Sequence, residues 1–406
     1  MTPAPSTPGL GEGAPARRLA VVLSHPIQYY SPWFRWLRAH ATLEFRVFYL
    51  WEFGVSVQRD PLFQAAFKWD VDLLSGYDSE FVPNTARAPG TDHFGGLRNP
   101  QLTARLAAWR PDALLLFGYK WASHLRAIAW ARWNGVPLVF RGDSHFLGRP
   151  APGWRRTLPL RILYRQFAAI TCVGAANKAY FRRLGVPGER IFFAPHAVDG
   201  SLYDPLQPAA REAAAALRTR LGLAPGTRVV LYAGKLVPAK QPRELLEAFL
   251  ALQPRGAAIV FVGDGEEKAA LAARAASAPG GSVHFLPFAN QTEMPGCYLL
   301  ADVFALPSRG LYETWGLAVN EAMHMGVPCL VSDRVGCQQD LVTDGETGWV
   351  FRACEPEDLR KKLSEALAAD LPAFRPRVAA RIAGYSYAQA TSGLLAALAS
   401  LPPRRR

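Results

Sequence analysis

VFALPSRGLYETWGLAVNEAMHMGVPCLVS, residues 303–332, contains one complete unit of architecture. Val303 to Leu306 is an apolar run of strand length, and Pro307-Ser308 turns the chain. A helix opens after Gly316, and Gly326-Val327-Pro328 leads into a second apolar run, Cys329 to Ser332. Strand, helix and strand in succession make a βαβ unit, which puts both strands in a parallel sheet.

The same alternation continues toward both ends of the chain. Leu19 to Leu23, Glu44 to Leu50, Ala113 to Phe117, Pro137 to Arg141, Ala169 to Val173 and Arg190 to Pro195 read as strands. Helical segments fall at Pro32 to His40, Trp121 to Trp133 and Asn177 to Leu184. After a polar, Ala-rich, Pro-bearing stretch the phase restarts at Val229 to Ala233, Ala258 to Val262 and Val283 to Phe285. At 406 residues the chain is too long for one ordinary core. The reading predicts an α/β protein with two Rossmann-like parallel-sheet domains facing a central cleft. Ligands of such sheets bind at the carboxyl ends of the strands. The expected division is a disordered leader over 1–16, a first domain over 17–200, a linker over 201–226, a second domain over 227–380, and a final helix with a basic tail over 381–406.

Composition narrows the class. With 50% apolar and 19% charged residues the chain has a soluble globular make-up. No apolar run reaches the roughly 18 residues that span a bilayer, and residues 1–16 lack the apolar core of a signal peptide. Cys172, Cys297, Cys329, Cys337 and Cys354 are odd in number and show no metal-ligand or redox spacing. They read as buried small hydrophobes in a reducing, cytoplasmic compartment. A net charge of +13 suits nucleic acid, an anionic membrane or a phosphorylated ligand. The scattered basic residues, dense only at Arg404 to Arg406, argue against nucleic acid. Gly153-Trp154-Arg155-Arg156, with Arg161 and Arg165, reads either as a solvated helix face or as a peripheral contact with anionic lipid.

The chemistry concentrates in the stretch quoted first. A helix N-terminus offers unpaired N–H groups to a phosphate, and Gly316 permits close backbone approach. Glu313 in the loop and Glu321 in the helix cannot be phosphate ligands, because like charges repel. They suit the hydroxyls of a sugar and a ribose on either side of a diphosphate. Standing alone, such a pair is more often a solvated loop acid and an ordinary helix residue; the ordered strand, turn and glycine around it carry the argument. Gly234-Lys235 ends another strand, with Lys240 five residues on. Two cations at a strand end can neutralise a diphosphate leaving group, or can simply be solvated. Gly263-Asp264-Gly265 is a turn to which no chemistry is assigned.

Residues 229 to about 351 resemble the C-terminal domain of the group 1, family 4 glycosyltransferases of GT-B fold. The matching pieces are LYAGKLVPAKQPRELLEAF, IVFVGDGEEKAAL, VHFLPF, ADVFALPS, YETWGLAVNEAMHMGVPCLVS and DLVTDGETGWVF, in that order. The resemblance implies a retaining, metal-independent transferase in which the nucleotide-sugar is substrate and no cofactor is needed. It implies contact of Glu313 with the donor sugar, of Glu321 with the ribose, and of Lys235 and Lys240 with the diphosphate. Gly234 and Thr314 belong to the same donor site, and backbone groups of Trp315, Gly316 and Leu317 would touch the phosphates. The final helix would cross back to the first domain. Three positions depart from the pattern: Lys235 replaces a usual arginine, Gly336-Cys337 a usual Gly-Gly pair, and Asp340 a usual glutamate. Activity on cell-envelope polysaccharide or a related glycan, lipid-linked sugar or small metabolite would fit the family, and the acceptor is open.

The first half resembles the family loosely. Ser24-His25-Pro26-Ile27-Gln28-Tyr29-Tyr30 stands in place of a glycine-rich first loop, making His25 and Gln28 acceptor-side candidates. By analogy His145 approaches the donor sugar, with Asp143 nearby as a third acceptor-side candidate, while His196 is structural. Asp70-Val71-Asp72 spells a metal-binding D-x-D, but no metal is expected. Trp51, Phe53, Phe63, Phe67, Trp69, Tyr77 and Phe81 form either an acceptor pocket, a membrane-facing patch or a satellite core. Rival readings are a nucleotide-sugar epimerase, a sugar phosphorylase and a non-catalytic sugar-nucleotide-binding protein.

Overall fold

The computed structural model describes residues 18–55, 58–60, 65–149, 152–278, 282–310 and 313–404. The leader expected over 1–16, Phe63 and the end of the basic tail lie outside these residues, as does the side chain of Phe67.

The first sheet contains β1 (Arg18–Leu23), β2 (Glu44–Tyr49), β5 (Ser79–Phe81), β6 (Ala113–Phe117), β7 (Leu138–Arg141), β8 (Ala169–Cys172) and β9 (Ile191–Phe193). Between its second and third members, β3 (Gln58–Asp60) and β4 (Ala65–Phe67) make a separate antiparallel pair. The main strands run parallel in the order β5-β2-β1-β6-β7-β8-β9. The helices are α1 (Tyr30–His40), α2 (Leu102–Trp109), α3 (Ala122–Trp133), α4 (Trp154–Tyr164) and α5 (Ala175–Arg183). Alpha-helices α2 to α5 cover one face of the sheet and α1 the other.

Helix α6 (Pro208–Arg220) occupies the expected linker, where Pro at its first turn and a run of alanines favour helix. The second sheet holds β10 (Arg228–Ala233), β11 (Ala257–Val262), β12 (Ser282–Leu286), β13 (Val303–Leu306), β14 (Cys329–Ser332) and β15 (Gly348–Phe351). All are parallel, in the order β12-β11-β10-β13-β14-β15. Their helices are α7 (Pro242–Leu252), α8 (Lys268–Ala276), α9 (Met294–Leu300), α10 (Leu317–His324), α11 (Gln338–Leu341), α12 (Pro356–Ala368) and α13 (Leu371–Ile382). Most of these strands read as unbroken apolar runs because both faces are covered; Val229 to Tyr232 and Ala258 to Phe261 are fully buried.

The last helix, α14 (Tyr387–Ala399), leaves the second domain and packs Ala390, Leu394, Leu395 and Leu398 into the first domain's core. The two-domain α/β architecture, with its crossing-back helix, is therefore the one expected. In each sheet the strand order reverses beside the first strand, between β1 and β6 and between β10 and β13. Loops diverge at such a reversal and leave a crevice for a ligand. One expectation fails at a single position: four cysteines are buried, but Cys354 is exposed.

Candidate functional site

A cleft of about 1080 Å³ lies between the domains, at the carboxyl ends of both sheets. Its second-domain wall comes from the reversal point. Gly234 and Lys235 follow β10, and Arg309, Glu313, Thr314, Trp315, Gly316 and Leu317 follow β13; all line the cleft, with Lys240 and Glu321.

Gly316 makes this wall. It sits at φ +100° before the first turn of α10, and a Cβ there would come within 2.9 Å of Val335 Cγ1 and 3.0 Å of Leu306 Cδ2. A side chain would therefore face both left-handed strain and a clash. Trp315 is buried and acts as a pillar: its Nε1 donates to Asn320 Oδ1 at 2.7 Å, and Asn320 Nδ2 donates to the His196 carbonyl at 3.2 Å. The donor candidates gather closely. Lys240 Nζ lies 2.9 Å from Glu313 Oε2. Glu321 is only 3% exposed, and both its oxygens accept tyrosine hydroxyls, Tyr29 at 3.0 Å and Tyr298 at 2.6 Å. Burial pushes the Glu321 carboxyl above its ordinary range, and hydrogen bonding from Tyr298, Tyr203, Tyr29 and Gln291 partly holds it down.

The first domain reaches across the cleft at several points. Besides Tyr29, Asp143 Oδ2 accepts from Thr314 Oγ1 at 2.8 Å. His196 Nε2 stands 3.6 Å from the same oxygen, too far for a normal hydrogen bond. Burial pushes the Asp143 carboxyl up, but His196 and Thr314 outweigh it and leave it below its ordinary value. His145 does not line the cleft. Leu147 N–H donates to its Nδ1 at 3.0 Å, which leaves Nε2 as the protonated nitrogen, donating to the Glu313 carbonyl at 3.1 Å. Burial depresses its pKa, so the ring is neutral at pH 7. Asp340 accepts from Ala175 N–H, at the start of α5, and from Tyr385 OH at 3.1 Å.

The acceptor-side candidates separate. Gln28 lines the cleft. His25 stands behind the wall, edge-on to Trp51 and Phe53, with Ser24 Oγ 3.0 Å from its Nδ1. Burial lowers its pKa to about 4. The aromatic insert divides as well: Phe53 and Trp69 face the cleft beside Phe288, while Tyr77 and Phe81 join the first domain's core. Asp70 accepts from the Thr292 amide and hydroxyl, and Asp72 Oδ1 accepts from Leu74 N–H and Ser75 N–H. Both carboxylates of the D-x-D are thus engaged by protein groups, and among the described residues no acid, histidine and cysteine cluster suits a metal.

Three groups carried no assignment from sequence. Tyr29 and Tyr298 hold Glu321 from opposite domains. Arg309 lines the cleft with its buried Nε lacking a hydrogen-bond partner among the described residues. The signal for Arg309 was its place beside the Pro-Ser turn; for the tyrosines there was none.

Two family models match the chain, Glycosyl transferases group 1 over residues 214–383 and Glycosyltransferase Family 4 over residues 66–202. The D-inositol 3-phosphate glycosyltransferase of Nocardia farcinica is 34% identical over 52% of this chain and 48% of its own length. This chain thus spans about half of that relative. The protein of the same name from Xylanimonas cellulosilytica is 30% identical over 68% of this chain and 69% of its own. The crystal structure of Anabaena HepE in complex with UDP and glucose superposes with a TM-score of 0.69 at 18% identity, covering 95% of this chain and all of that one. That likeness speaks to the fold, two Rossmann-like domains around a cleft. With family matches in both halves and a relative of that identity and coverage, the chain belongs to the group 1, family 4 glycosyltransferases.

Proposed function

We propose that the protein is a retaining glycosyltransferase that takes a sugar from a UDP- or GDP-linked donor. The observation that carries this reading is the grouping, at one strand-order reversal, of Glu313, Glu321, Lys235, Lys240 and Arg309 around the start of α10. The diphosphate would lie against the α10 N-terminus and the three cations. Glu313 would accept from the donor sugar's hydroxyls. Glu321 would take the ribose, its carboxylate oriented by the hydroxyls of Tyr29 and Tyr298 and lining the cleft beside the start of α10.

In the step itself, the bond from the anomeric carbon to the phosphate oxygen breaks as the acceptor oxygen bonds to the same face of that carbon. The acceptor's proton passes to the departing phosphate oxygen. Lys235, Lys240 and Arg309 stabilise the charge growing on that group more than the charge of the intact donor, which lowers the barrier. His145, with both nitrogens engaged, positions the Glu313 loop. The acceptor would enter past Gln28, Phe53 and Trp69, and closure of the cleft limits donor hydrolysis.

The test is nucleotide release from UDP- and GDP-sugars, with and without an acceptor panel that includes inositol phosphates, the class named for the relatives. Acceptor-dependent release supports the reading. Donor binding without turnover on any acceptor would make the protein a binding module, and interconversion of donor sugars would make it an epimerase.

A further inference from the structure

We propose that the outer face of the first domain built by α3 and α4 docks on an anionic lipid bilayer. These helices follow neighbouring, paired strands and bury their inner sides in one core on one face of the sheet. Their outer sides are unusual. Helix α3 exposes Leu125, Ala129 and Trp133, and α4 exposes Trp154, Leu158 and Ile162. Both sets follow i, i+4, i+8, which makes a single outward stripe on a helix. Trp133 is 92% exposed and Trp154 69%. Large apolar side chains gathered on one face mark an interaction surface.

The charges repeat on the two helices in the same phase. Arginine stands one and seven residues after the first apolar position, as Arg126 and Arg132 on α3 and Arg155 and Arg161 on α4. From Ala113 to Gly188 the chain carries twelve lysines and arginines and one acid. That acid, Asp143, lines the cleft and bonds Thr314 across it. The outer face is therefore apolar and positive with no acid on either helix.

This chemistry selects lipid. Arginine lays its stem along apolar surface and lifts its guanidinium to a phosphate, while tryptophan favours the headgroup level. A protein-protein interface gathers its apolar core apart from charge, whereas here arginine and apolar positions interleave. Leu125, Leu158 and Ile162 have no use on a nucleic-acid backbone.

The experiment is co-sedimentation of the full chain with phosphatidylcholine vesicles, with and without about one third phosphatidylglycerol. Binding to the anionic vesicles that weakens with salt is expected, with little binding to the neutral ones. Arg155→Gln with Arg161→Gln should lower partitioning to anionic vesicles about 25-fold, at about fivefold per charge. Trp154→Ala with Leu158→Ala and Ile162→Ala should abolish it. Every substituted side chain is exposed, and circular dichroism verifies the fold. The proposal fails if the wild-type chain stays in the supernatant, or if both variants sediment like wild type. It also fails if the triple variant splits a dimer, which assigns the face to a second copy, or if RNA binds this face and vesicles do not displace it.

Discussion

Tyr29→Phe removes one hydroxyl from a contact between the domains. That hydroxyl donates to Glu321 Oε1 at 3.0 Å, and the carboxylate keeps Tyr298 on its other oxygen. A hydrogen bond to a charged group contributes about 1.5–3 kcal/mol. The retained bond and the unchanged ring place this case at the lower end, about 1.5 kcal/mol, which is roughly tenfold in affinity. The expected result is a nucleoside-diphosphate Kd raised about tenfold at pH 7 with a smaller change in kcat. A pH effect accompanies it. Burial already raises the Glu321 carboxyl, and the Tyr29 bond opposes that rise. Only the carboxylate accepts from two ribose hydroxyls, so affinity is full above the raised pKa and is lost as pH falls through it. Without Tyr29 the loss should begin at higher pH. Calorimetric titration of UDP and GDP across pH 5 to 8 measures both effects. An unchanged Kd throughout would refute the orienting role, and tighter binding would mean that Tyr29 competes with the ribose.

His124 is wholly buried with neither ring nitrogen hydrogen-bonded among the described residues, and burial lowers its pKa to about 3. The unfolded chain takes up this proton near pH 6.5 and the folded one does not, so its contribution is full above 6.5 and is lost as pH falls. At pH 5 the loss is about 2 kcal/mol, and His124→Leu should remove that part of the slope in thermal melts, leaving the parts from the other histidines whose pKa burial lowers, His25, His145, His196, His284 and His324. An identical slope in the variant would contradict this. Gly393→Ala would set a Cβ 1.9 Å from the Phe193 carbonyl, where α14 crosses β9. The gain of about 1 kcal/mol in helix propensity should be outweighed by the clash, so a raised Tm would count against the crossing-back contact. Arg309→Met should lower kcat by roughly tenfold or more, with a smaller change in donor affinity; equal effects on both would make it a binding residue only.

The parallel sheets were legible because strands buried on both faces are plain apolar runs, as in Val229 to Ala233 and Ala113 to Phe117. The wall around Gly316 was legible because strand, turn, glycine and helix are local and ordered. What escaped is non-local. Tyr29 and Glu321 are 292 residues apart and meet only when the domains face each other. The same holds for Asp143 with Thr314 and for His145 with the Glu313 carbonyl, whose distances depend on the domain arrangement. Helix α6 was readable from its proline and alanines, yet the polar composition of the expected linker hid it. His25 looked equivalent to Gln28 on the β1 loop. The stacked Trp51 and Phe53 rings take it out of the cleft, and nothing in the loop's sequence marks that packing.

The central claim is that Glu313 acts on the donor sugar while the cations hold the diphosphate. Glu313→Ala separates the two roles, because it frees Lys240 from its 2.9 Å partner. Nucleoside-diphosphate affinity and acceptor-dependent nucleotide release should be measured on the same preparation of this variant. The expected result is affinity equal to or tighter than wild type, with release reduced roughly 100-fold or more. Release at the wild-type rate by a folded variant would contradict the claim.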